Sequence, residues 1–177
     1  DTSTHTVIDV LMTYPNGVRK MSKDIAGLVQ TSLNLGILST IKPNNPSTNG
    51  IVSFKSSVRS SIGSEKDALL NSLKSLATLA GGTLTVTGDY PAWEYREDSP
   101  LRDLMVKIFR QQYGKEPVIQ ALHAGVECGI FASKLPGLDC VSCGPDMDDI
   151  HTTNESMNVE SVRRTWEYTL EILKELK

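Results

Sequence analysis

The chain has 177 residues, 39% of them hydrophobic and 22% charged, a mixture that supports one moderate core or two small ones and gives no sign of disorder or of a membrane span. Eighteen basic against twenty-one acidic residues leave a net charge of −3, and with no basic run the electrostatic footprint of a nucleic-acid binder is missing. Three cysteines cannot all pair with one another and lack the density of a secreted disulfide scaffold, so the expected compartment is reducing and cytoplasmic.

The chain opens on Asp1-Thr2-Ser3-Thr4 and carries no apolar signal region. Val7, Val10, Leu11 and Tyr14 then recur at helical spacing after a Ser3/Thr4 cap, until Pro15-Asn16-Gly17 breaks the run. From Val29 to Ile41 the period changes to two, which puts Val29, Thr31, Leu33, Leu35, Ile37 and Ile41 on one face. Ile51 to Ile62 repeats the alternation through Val52, Phe54 and Val58. The pair reads as a long hairpin with the polar run 42–50 at its tip. Ser64-x-x-Asp67 opens a predicted helix carrying Leu69, Leu70, Leu73, Leu76 and Leu79, ended by Gly81-Gly82, and Thr83 to Thr87 should return as a strand.

The character changes near Asp89-Tyr90-Pro91-Ala92-Trp93. Ser99-Pro100 starts a predicted helix with Leu101, Leu104, Met105, Ile108 and Phe109, and Gly114 stops it. Val118 to Leu122 reads as a strand, Glu127 to Lys134 as a helix and Leu138 to Cys143 as a buried strand. Val159 to Leu176 reads as a helix with Val162, Trp166, Leu170 and Leu173 inward. Strands alternating with helices of this length give an α/β class with a mostly parallel sheet, whose ligands bind beyond the carboxyl ends of its strands. The loops of His123 and His151 both lie at such ends.

His151 follows a carboxylate-rich loop opened by Gly144-Pro145. It reads as a metal ligand or as a polar surface residue, because a zinc site needs three or four ligands and only one histidine stands here. Asp146, Asp148 and Asp149 could add oxygens, although loop carboxylates are usually solvated charge. Cys140 and Cys143 have C-x-x-C spacing, but residues three apart on a strand point to opposite faces, so the reading for Cys128, Cys140 and Cys143 is small buried hydrophobes. A cysteine hydrolase on Cys128 with His123 or His151 lacks an orienting partner. His123 and Glu127 flank a glycine-containing turn that could aim at an anion, or could be an ordinary polar turn. Arg59 alternates with the apolar set of its strand and so faces away from it. It reads as solvated charge or as a bidentate carboxylate clamp.

Five strings carry a resemblance: Tyr14-Pro15-Asn16-Gly17-Val18, Thr31-Ser32-Leu33-Asn34-Leu35-Gly36, Tyr90-Pro91-Ala92-Trp93, His123-Ala124-Gly125-Val126-Glu127-Cys128-Gly129, and Gly144-Pro145 through His151. In this order they resemble the C-terminal part of the aminoacyl-histidine (Xaa-His) dipeptidases, the peptidase D and carnosinase-like family of two-zinc exopeptidases. The resemblance implies a partial lid or dimerisation domain over 1–89, a hairpin with helices, followed by the closing part of a parallel α/β catalytic domain over 90–177. It implies hydrolysis of Xaa-His dipeptides by a zinc-activated water, two zinc ions per complete enzyme with manganese or cobalt as substitutes, and a homodimer formed through the lid.

By position, the resemblance makes His151 the last metal ligand and Arg59 the lid arginine that binds the substrate's C-terminal carboxylate. His123, Gly125 and Glu127 become a wall of the substrate cleft. The family's His-x-Asp motif, its Glu-Glu pair with the general base, its bridging aspartate and an earlier lid histidine have no counterpart. No catalytic residue is therefore expected in this chain. By itself it should be inert, weak in zinc binding and dependent on the missing N-terminal part of the same enzyme. The alternative from another class is a non-catalytic lid-type dimerisation or binding module using Arg59 and the hairpin.

Overall fold

The computed structural model describes residues 2–43, 50–121 and 127–177. Two compact units emerge, Asp1–Tyr95 with Ala121–Ile130, and Arg96–Gln120 with Phe131–Lys177.

The first unit begins with α1, Thr2–Thr13, and a three-stranded antiparallel sheet in the order β1-β2-β3, formed by Gly17–Met21, Val29–Ile41 and Ile51–Ser60. The long hairpin expected from period-two alternation is the β2–β3 pair, and residues 44–49 of its tip lie outside the described residues. Its register corrects one detail. Leu35 pairs with Ser56 but Ile37 pairs with Lys55, so Gly36 is an extra residue that shifts the phase of β2. Leu33, Leu35, Leu38 and Thr40 thus share a face with Val58, Ser56, Phe54 and Val52. Ile37 and Ile41, expected beside Leu33, point to the other side.

The inward face is covered by α2, Gly63–Leu79. Leu69 and Leu73, one turn apart, close on Leu33, which is 1% exposed, with Tyr14 and Val58 at the margin. Tyr14 also stacks on Phe54 at 5.7 Å, and its hydroxyl lies 2.6 Å from Ser56 Oγ, which ties the end of α1 to the sheet. Ile62 occupies the cap position of α2 without a side-chain bond, so the capping role expected of Ser64 is absent. Gly81 at φ +74° follows the helix as expected.

In the second unit, α3 (Pro100–Tyr113) is capped by Ser99, whose hydroxyl accepts from the Arg102 N–H, and is ended by Gly114 at φ +63°. The other main helix, α5 (Val159–Glu175), is capped by Asn158. Met105 and Ile108 pack on Tyr168 and Ile172, with Leu101, Leu104, Phe109, Tyr113 and Val141 around them. Tyr168 donates its hydroxyl to the Met105 carbonyl at 2.7 Å. The face of α5 that packs is therefore Ser161, Tyr168 and Ile172, and the expected inward stripe is the outer one, with Trp166 63% and Leu173 56% exposed. Helical spacing permitted both faces. The aromatic contacts of Tyr168 with Phe109 and Tyr113 belong to only one of them.

The helix over Glu127–Lys134, α4, forms as expected and belongs to the first unit up to Ile130. Its buried Gly129 sits where a Cβ would meet the Pro91 carbonyl at 2.9 Å and Trp93 Cβ at 3.4 Å. The strands expected at 83–87, 118–122 and 138–143 do not form among the described residues. These stretches enter no ladder, Val118 is 82% exposed, and Cys143, expected buried, is exposed. Their composition favours extension, but a strand exists only through a partner's hydrogen bonds.

Candidate functional site

His151 lies in the second unit, in a loop of seven residues, 149–155, closed by two short strands, β4 (Met147–Asp148) and β5 (Ser156–Met157), that pair antiparallel. The loop is rooted on the start of α5. Asp146 N donates to Ser161 Oγ at 2.9 Å, Asn158 N donates to the Asp146 carbonyl at 3.0 Å, and Arg164 donates to the Asp146 carboxylate at 2.9 Å. Asp146 is thus a brace, with its carbonyl held by Asn158 and one carboxylate oxygen held by Arg164. Asp148 and Asp149 are exposed.

Within the loop the Asp149 carbonyl accepts from the Thr152 hydroxyl at 2.7 Å and from its N–H at 3.1 Å. Asn154 N donates to Thr152 Oγ1 at 3.1 Å, and His151 N donates to Glu155 Oε2 at 2.8 Å. Asp149 at φ +51° and His151 at φ +69° are the two non-glycine residues with positive φ among the described residues. A branched chain of local bonds therefore holds a left-handed backbone that L-residues disfavour. The His151 side chain is exposed at the crown. An accessible imidazole on a fixed backbone fits one ligand of a metal centre. It does not make a whole one, since among the described residues no three His, Cys, Asp or Glu side chains stand together as a possible metal site.

None of the three cysteines is in a disulfide. Although Cys143 is exposed by area, the atoms around its sulfur displace enough water to push the thiol pKa up. That direction is opposite to what a nucleophilic or metal-binding thiolate needs.

Arg59 and Glu127 belong to the first unit. Arg59 pairs with Ser32 across β2–β3 and points away from Val58 and the core, as its alternation implied. Its face of the sheet also carries Lys55 and Ser57 on β3 and Asn34 opposite Ser57, all exposed, and, towards the hairpin tip, the exposed Ile37, Ile41 and Ile51. Around Arg59 such a surface offers donors to a carboxylate, and among the paired residues of β2 and β3 on this face no acid competes. Glu127 stands exposed in the first turn of α4, where the helix dipole favours negative charge. His123 and Gly125 lie outside the described residues.

A carboxylate that sequence reading passed over organises the second unit. Asp139 accepts from Ser99 Oγ at 2.7 Å and from Leu101 N at 2.9 Å, across the N-terminus of α3. Burial opposes its charge, and the Leu101 N–H, the Ser99 hydroxyl and the nearby Arg96 and Arg102 guanidiniums outweigh it, which holds the carboxyl below the ordinary carboxylate range. Glu155 was missed in the same way. The spacing of four from His151 was visible, but its bond to the His151 amide depends on the left-handed turn between them.

The chain is 38% identical over 174 residues to the cytosol non-specific dipeptidase of Escherichia coli (strain K12), covering 98% of this chain and 34% of that protein. The structure superposes on the aminoacylhistidine dipeptidase of Vibrio alginolyticus with a TM-score of 0.84 at 32% identity, over 97% of this chain and 34% of that one. The aminopeptidase PepT of Bacillus cereus ATCC 10987, at 20% identity and a TM-score of 0.74, shares the fold over 97% of this chain and 44% of its own. The chain thus spans about a third of the length of the two dipeptidases it matches. The description "Peptidase family M20/M25/M40" matches residues 12–175, and the chain belongs to that family.

Proposed function

We propose that this chain is the C-terminal part of a metal-dependent dipeptidase, with residues 1–89 as the later part of a lid and 90–177 as the closing part of the catalytic domain. The observation that carries the proposal is the His151 loop, where an exposed imidazole is presented from a hydrogen-bonded, left-handed backbone on the rigid start of α5. His151 would be one ligand of a two-zinc centre, for which manganese or cobalt could substitute, and such metals polarise a scissile carbonyl and activate water when bound. The other ligands and the general base lie elsewhere in the complete enzyme, so no chemical step is assigned to residues of this chain.

What this chain contributes is binding. Arg59, beside Ser57 and Lys55 on its sheet face, would grip the substrate's free C-terminal carboxylate with two parallel hydrogen bonds. His123, Gly125 and Glu127 would wall the cleft. Xaa-His dipeptides are the proposed substrates, a reading supported by the name of the Vibrio relative, and the cytosol by the name of the Escherichia relative. Among the described residues no helix is long and apolar enough to cross a membrane. The unpaired segments 83–87, 118–121 and 138–143, together with the outward Val162, Trp166 and Leu173 of α5, support a partner in the remaining part of the same enzyme. A homodimer through the lid completes the proposal.

The test is His151→Ala in the complete enzyme. Bound metal per subunit and turnover of an Xaa-His dipeptide should both fall while the far-ultraviolet spectrum is kept. Unchanged stoichiometry and turnover would remove His151 from the centre.

A further inference from the structure

We infer that Glu155 is a positioning residue for His151: its carboxylate, by accepting the His151 backbone N–H, sets the left-handed conformation from which the imidazole is presented. The inference rests on the proposal that His151 binds metal, and concerns how its geometry is held.

His151 is at φ +69° with Asp149 at φ +51° two residues before it. Neither is glycine, so something must compensate the contact between Cβ and backbone that this region imposes. The bonds of Thr152 to the Asp149 carbonyl compensate at Asp149. At His151 the restraint on the residue's own backbone is the 2.8 Å bond from its N–H to Glu155 Oε2.

The acceptor comes from a fixed base. Glu155 N donates to the Thr152 carbonyl, and the next residue, Ser156, pairs with Asp148 in the ladder that closes the loop. Rotation of φ at His151 turns its N–H relative to its Cα–Cβ direction, so a bond that ties the N–H to Glu155 four residues further on closes a ring that restrains φ and with it the direction of the imidazole. Imidazoles that bind metals are commonly oriented through a partner on the second ring nitrogen. Here the orientation would be imposed through the main chain, which leaves both ring nitrogens to the solvent and to ligands.

Two measurements test this. In the complete enzyme, amide hydrogen exchange at His151 should accelerate at least about tenfold in Glu155→Ala and in the shortened Glu155→Asp, and stay within about threefold of the parent in Glu155→Gln, which keeps an acceptor at the same reach. In the complete enzyme, the dissociation constant for the metal that His151→Ala weakens should rise about 10-fold or more in Glu155→Ala and recover in Glu155→Gln, the scale expected when a group that orients a ligand is removed. Unchanged exchange at His151 in both Glu155→Ala and Glu155→Asp would overturn the inference, as would equal losses in the Ala and Gln variants. If instead His151→Ala leaves metal affinity untouched, the metal reading fails while the exchange result still decides the role of Glu155 in the loop.

Discussion

Replacing Asp139 by alanine should destabilise the second unit by about 2–3 kcal/mol at neutral pH. Two hydrogen bonds converge on its carboxylate, from the Ser99 hydroxyl and the Leu101 N–H, and bonds to an ionised acceptor contribute roughly 1.5–3 kcal/mol each. The low end applies to both. Asp139 is only half-buried, and the Leu101 N–H is one of the first-turn donors of α3 that water can take over once the carboxylate is gone. Ser99 keeps its cap on the Arg102 N–H, so α3 should still form. Because the folded-state pKa lies below the ordinary value, the stabilisation is complete above the unfolded pKa of about 3.9 and is lost as pH falls through the lower folded value. Urea titrations followed by Trp166 fluorescence, in a Trp93→Phe background so that the signal reports the second unit, would measure it. A difference under about 0.5 kcal/mol at pH 7, or one that persists undiminished at pH 2, would refute the account of Asp139 as an ionised clamp on α3.

Tyr168→Phe should cost about 1 kcal/mol at pH 7 through loss of the bond to the Met105 carbonyl. The gap should close in alkali: desolvation, then Cys143 and Tyr113, push the Tyr168 pKa up to about 12, so the parent loses stability between the unfolded pKa of about 10 and that value while the Phe variant does not. Gly129→Ala, in a helix position that ordinarily favours alanine, should instead destabilise by about 1–2 kcal/mol because the new methyl group meets the Pro91 carbonyl, and thermal melts of the two proteins check it. Arg59→Lys in the complete enzyme should lower kcat/KM for a free dipeptide about tenfold and leave the C-terminally amidated dipeptide unchanged; equal slowing of both would dismiss carboxylate recognition.

How far the sequence reached follows the range of the interaction that decides each feature. The helices 2–13, 100–113, 127–134 and 159–175 were legible because their periodicity and ends are local, as Ser99-Pro100 and Gly114 show at the two ends of α3. The hairpin was legible for the same reason, since its strands are neighbours in sequence. Its one misreading came from Gly36, where a single unpaired residue reverses the two faces beyond it and places Ile37 beside Lys55. The segments at 118–121 and 138–143 failed differently. Their residues favour extension, yet pairing depends on a strand elsewhere, and no local pattern shows whether one is within reach.

The faces of α5 illustrate the limit most sharply. Val162, Trp166 and Leu173 form the more apolar stripe, so hydrophobicity alone turned them inward; the actual contact is made by Tyr168 and Ile172, with Ser161 tucked beneath the Asp146 amide. A phenol and a serine are legible as core residues only once the Met105 carbonyl and the loop before α5 are in view. The same is true of the site. That His151 sits in a loop could be read from Gly144-Pro145, and that Arg59 leaves the core face could be read from alternation. What the imidazole does depends on a left-handed turn fixed by Glu155, and such a turn has no composition of its own in a chain where neither Asp149 nor His151 is glycine. Site geometry is therefore encoded here in pairs of residues whose relation only the folded loop creates, which is why substitution at Glu155, a residue with no ligand role of its own, discriminates between a presented histidine and one that merely happens to be exposed.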